Sequence, residues 1–113
     1  MELAVSCYVL AQLKFRDLAA YRCYQAKFFE VMRPFKGRLL IADEAPQALE
    51  GAWPTDKIVL IRFPDEAAFR EWENSEAYQR IAVDRIAGAA TVSLLLRGLA
   101  ASPDVEMRET KRG

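Results

Sequence analysis

The chain has 113 residues, 52% of them hydrophobic and 28% charged, with five Gly and five Pro. That is the balance of one globular domain and excludes disorder, collagen-like repeats and low-complexity sequence. Sixteen basic and sixteen acidic residues cancel, which argues against a nucleic-acid binder, and histidine is absent. Without histidine there is no Ser-His-Asp or Cys-His nucleophile system and no imidazole ligand for zinc or haem. No apolar run approaches the ~18 residues that span a bilayer. The N-terminus shows no basic n-region or cleavage site, so a cytoplasmic location is expected. Cys7 and Cys23 match no metal or redox spacing, and both read as free buried thiols.

In chain order, Ala4 to Phe15 is rich in β-branched and aromatic residues and reads as a strand. Asp17 is a candidate N-cap. Apolar residues at Leu18, Tyr21, Tyr24, Phe28, Val31 and Met32 then fall at helical steps. Pro34 stops that helix, Gly37 turns the chain, and Arg38 to Ala42 is a short strand. The connection from Asp43 to Asp56, broken by Pro46, Gly51 and Pro54, has no regular pattern. Lys57 to Phe63 (KIVLIRF) is a clear strand. Pro64-Asp65-Glu66 opens a second helix over Ala68, Phe69 and Trp72. Asn74-Ser75 interrupts it, and Ser75 caps a further helical stretch to about Ala87. Thr91 to Arg97 is the fourth strand. Residues 1–98 thus read as one domain and 99–113 as a polar tail.

The order β-α-β-β-α-β predicts an α+β, ferredoxin-like fold: a four-stranded antiparallel sheet with its helices on one face. Yet both faces of the strands are apolar. Ile58 and Leu60 oppose Val59, Ile61 and Phe63, and Val92, Leu94 and Leu96 oppose Leu95. The helices can cover only one face. The other is an apolar patch that a monomer would leave in water, so a sheet-to-sheet homodimer is expected.

A set of residues in order then becomes informative. Tyr8-Val9-Leu10-Ala11 opens the first strand, and Tyr21 and Tyr24 stand on the first helix. Gly37-Arg38-Leu39-Leu40, Leu49-Glu50-Gly51 and Trp53-Pro54 follow. Phe63-Pro64-Asp65, Ala67-Ala68, Trp72, Ser75-Glu76-Ala77-Tyr78-Gln79 and Arg85 complete the set. Together they resemble the bacterial domain of unknown function 1330 family, within the dimeric α/β-barrel superfamily, over about Tyr8 to Gly98. The resemblance implies a ferredoxin-like protomer and a sheet-to-sheet dimer. It implies no established reaction. The wider superfamily includes cofactor-independent monooxygenases, isomerases, haem enzymes and amino-acid-sensing modules, and only the fold links them to this chain. The haem branches that use a proximal histidine do not apply here.

Arg85 is the most informative charge. On a helix in register with Tyr78, Ile81 and Ala82, it falls inside the apolar stripe. There it is paired with a carboxylate such as Glu44 or Glu50, or buries its stem while its head reaches water, or grips an anionic ligand in its guanidinium fork. Arg62 interrupts KIVLIRF on the face of Ile58 and Leu60. It is a strand-end charge reaching water, a member of a cross-strand ion pair or, if its face is the covered one, a second clamp. Glu44 and Glu50, on the long loop, belong to a solvated acidic loop or, if burial raised a carboxyl pKa, are the proton carriers. Trp53 on that loop reads as a dimer contact. Trp72 and Tyr78 are core anchors or the wall of a pocket for a planar ligand, and Tyr8, Tyr21 and Tyr24 share that ambiguity. No metal or cofactor is expected. The sequence therefore points to a small cytoplasmic homodimer with a cleft between sheet and helices. It is a cofactor-free enzyme on a small anionic organic molecule or a non-catalytic binding module.

Overall fold

The computed structural model describes residues 5–99. Its elements are β1 (Cys7–Phe15), α1 (Leu18–Met32), β2 (Arg38–Asp43), β3 (Lys57–Phe63), α2 (Glu66–Glu73), α3 (Glu76–Gly88) and β4 (Ala89–Arg97). The strands form one antiparallel sheet in the order β2-β3-β1-β4, the ferredoxin-like arrangement expected from the sequence. The polar stretch 100–113 lies outside the described residues.

Local chemistry sets the helix starts. Asp17 accepts from the Ala20 amide at 3.2 Å, Asp65 from Ala68 at 2.8 Å, and Ser75 from Tyr78 at 3.2 Å. Each carboxylate or hydroxyl thereby satisfies an amide that has no partner within its own helix. The Ser75 cap makes α2 and α3 two helices rather than one.

Strand parity decides what the helices cover. Cys7, Val9, Ala11 and Leu13 of β1 share a face with Val59, Ile61 and Phe63 of β3. Against them pack Tyr21, Tyr24, Phe28, Phe69 and Trp72. Burying each such side chain is worth about 1.5–3 kcal/mol, so this layer holds the fold together. The other face carries Leu10, Ile58 and Leu60, with β4 contributing Val92 and Leu94, 63% and 52% exposed. In β2 the register shifts between Leu39 and Ile41. This bulge keeps Leu39 on the core side and leaves Leu40 and Ile41 both exposed, widening the uncovered apolar surface.

The cysteines divide. Cys7 is buried, as expected, but Cys23 is exposed. Two residues past buried Tyr21, it has rotated roughly 200° around α1, away from the sheet.

Candidate functional site

Between sheet and helices lies a cavity of about 380 Å³. Its floor is sheet, including Ala11, Val59, Thr91 and Ser93, and its walls come from α1, α2 and α3. Trp72 and Tyr78 form one wall, with ring centroids 4.1 Å apart and planes tilted by 43°. Trp72 is backed by Phe63 at 5.5 Å and Phe28 at 6.1 Å, so its position is fixed by packing on two sides.

Arg85 reaches this cavity from α3, as its place between buried Ile81 and Ala82 requires. Its Nη1 donates to Thr91 Oγ1 at 3.1 Å. Among the described residues no carboxylate lies within salt-bridge distance of it, and its Nε is buried with no hydrogen-bond partner. The ion pair with Glu44 or Glu50 that the sequence left open is therefore not formed. A guanidinium held in this way keeps donor capacity for something else.

Tyr24 also lines the cavity, next to Tyr78. Burial, and then the neighbouring Tyr78, push its hydroxyl pKa well up. It stays protonated and is a standing hydrogen-bond donor.

Several sequence-derived candidates lie elsewhere. Arg62 is on the uncovered face, opposite Tyr8, and its Nη2 donates to Ser6 Oγ at 2.8 Å. Strand alternation puts it one residue out of phase with the cavity-facing Ile61, so it does not join Arg85. Tyr8 shares that uncovered face, whereas Tyr21 lines the cavity. Glu50 is exposed on the loop and does not line the cavity. Trp53 is half-buried, with its indole N–H buried and unpartnered among the described residues.

Glu44 is the clearest correction. Its carboxylate takes a two-pronged contact from Arg22, with Nη2 to Oε1 at 2.7 Å, and lies 3.4 Å from Lys57 Nζ. The Arg22 hydrogen bonds first, and Lys57 second, hold its pKa down to about 2, the reverse of what a proton carrier needs. The sign of its pH dependence follows. Its folded pKa lies below the ordinary 4.5, so its stabilising contribution is complete above about 4.5 and is lost as pH falls through about 2. Glu44→Gln is expected to be less stable than wild type near neutrality and to converge with it in this acid window. Paired urea denaturations across pH 2–6 check this, and a constant gap throughout would refute it.

Lys57 is the cavity residue that the sequence reading passed over. It is 3% exposed, lines the cavity, and its ammonium stands 4.8 Å over the Tyr21 ring. Its signal was parity: counting back by twos from Ile61 and Val59 puts Lys57 on the covered face. As the first residue of a strand it reads instead as an ordinary rim lysine. Among the described residues no group of three metal-ligating side chains occurs, and no helix is long and apolar enough to cross a membrane.

Comparisons place this geometry among known folds. The chain is similar to RPA0582 of Rhodopseudomonas palustris, a solved structure of unknown function, at 18% identity and a TM-score of 0.72. That match covers 86% of this chain and 85% of that one. It is similar to SnoaB, a cofactor-independent oxygenase from Streptomyces nogalater, at 14% identity and a TM-score of 0.63, over 88% and 99%. A DABB family protein with a ferredoxin-like fold from Mesorhizobium loti matches at 9% identity and a TM-score of 0.63, over 85% and 99%. At these identities the likeness is one of fold. No functionally curated protein matches. The profile of the domain of unknown function DUF1330 matches residues 6–99, nearly all of the described chain, and the protein belongs to the DUF1330 family.

Proposed function

We propose that this chain is a homodimeric small-molecule-binding protein whose sheet–helix cavity takes a flat organic anion. One observation carries the reading: Arg85 presents a guanidinium to an aromatic-walled cavity with no carboxylate partner among the described residues. A partly buried cation with no counter-ion is unfavourable unless a ligand supplies the negative charge. The tilted Trp72–Tyr78 pair offers a flat apolar wall, which suits a planar body behind the acidic group.

The test is Arg85→Met. Since the substitution strands no carboxylate, folding stability is expected to stay the same or rise in chemical denaturation. At the same time, native mass spectrometry should lose any small molecule that wild type retains from a native extract. A loss of roughly 3–5 kcal/mol, as when a buried pair is broken, would mean that Arg85 is structural.

Cofactor-free catalysis on the same anion is the second reading. SnoaB supports it by fold likeness, and Tyr24 supports it by remaining a donor that faces the cavity beside Arg85. Two such donors suit charge developing on a substrate oxygen. With Glu44 held as a carboxylate by Arg22, proton transfer in this reading falls to the substrate or to water rather than to Glu44.

A further inference from the structure

The cavity contains a second cation whose neutralisation is incomplete. Lys57 carries three N–H donors on a side chain that is 4% exposed. Its one anionic partner among the described residues, Glu44, lies at 3.4 Å, beyond the usual 2.7–3.2 Å of an N–H···O bond. The better contacts of that carboxylate go to Arg22. Beyond this, among the described residues, its ammonium meets the face of Tyr21.

The sheet register fixes where Lys57 stands relative to Arg85. Lys57 pairs with Leu13, and Leu13 pairs with Thr91 on its other side. Arg85 is bonded to that same Thr91. The two cations thus flank one cross-strand row, with the backbones of Lys57 and Thr91 about 10 Å apart across two strand spacings. They approach the cavity from opposite sides, Lys57 from the sheet and Arg85 from α3.

We propose that Lys57 is a second anion-binding group and that the cavity selects flat molecules with two acidic groups, one for Arg85 and one for Lys57. Glu44 then acts as an internal competitor, occupying Lys57 until a ligand group replaces it. Because Glu44 also grips Arg22 on α1, the start of the β2–β3 loop is tied to the cavity wall while the second subsite is empty. The inference rests on the anion-binding reading of Arg85.

Isothermal titration calorimetry with benzoate and terephthalate tests it, the first carrying one carboxylate and the second two on opposite ends of the ring. Wild type should bind terephthalate at least about tenfold more tightly than benzoate, as one further charge-assisted contact provides. Lys57→Met should abolish that preference and leave benzoate within about twofold. This variant strands no acid, since Glu44 keeps Arg22. Glu44→Gln, which keeps the lysine, should strengthen terephthalate binding alone and serves if Lys57→Met does not fold. Equal affinities for the two probes in wild type would overturn the inference. So would an equal loss of both in Lys57→Met, or weakened terephthalate binding in Glu44→Gln. Arg85→Met losing benzoate is a separate result and bears on the anion clamp itself.

Discussion

Replacing Gly88 by alanine is expected to destabilise the fold by at least about 2–3 kcal/mol, the upper range for overpacking a close-packed site. For a domain of this size that corresponds to a fall of about 10 °C or more in Tm. A Cβ on Gly88 would stand 2.4 Å from the Tyr21 amide nitrogen and 2.8 Å from Tyr21 Cα and Cβ. Those are main-chain atoms and the root of a buried side chain, so no rotamer change relieves the clash. The Gly88 carbonyl also accepts from the Arg16 and Asp17 amides at 2.9 and 3.1 Å, locking the end of α3 onto the start of α1. Any shift that makes room for the methyl lengthens these bonds. Thermal and urea unfolding of the variant check the expectation, and a change below about 0.5 kcal/mol, typical of an unconstrained surface site, would refute it.

Gly88 also marks where sequence reasoning stops. In the sequence it is simply a glycine following the helical stretch that ends near Ala87. Its need to be glycine arises only when α1 crosses α3, and helical periodicity carries no information on how closely two helices approach. Features that depend on one element were legible. The six-element order, the Ser75 break and the angular place of Arg85 all follow from local period and caps. The faces of single residues were legible when parity was counted. Arg62 and Ile61 differ by one position and so by one whole side of the sheet. Partners across elements were not legible. Glu44 lies 22 residues from Arg22 in sequence, and nothing near it indicates that an arginine of α1 will hold it ionised.

Introducing a charge on the uncovered sheet face should have the largest effect on assembly. Leu60→Glu places a carboxylate between Leu10 and Ile41, on the side away from the helices. In the proposed dimer two-fold symmetry brings both copies of the new charge into one apolar interface of more than ~1,200 Å². A buried unpaired charge costs several kcal/mol, so association should weaken by at least about a hundredfold. Light scattering at micromolar concentration should show a dimer for wild type and a monomer for Leu60→Glu. A wild-type monomer, or an unchanged dimer in the variant, would defeat the assembly proposal. The covered face is untouched by this substitution, so circular dichroism should still report folded protein.

The wall that shapes the cavity also gives the protein an optical signature. The chain has two tryptophans, and Trp72 is 3% exposed, lines the cavity, and has its indole N–H buried without a partner among the described residues. Tyr78 lies 4.1 Å away, close enough to pass its excitation to Trp72. Emission from this indole is governed by the few groups around it, so a molecule entering the cavity changes its wavelength and intensity directly. A Trp53→Phe variant would leave Trp72 as the sole indole emitter, turning the protein into a label-free gauge of its own occupancy.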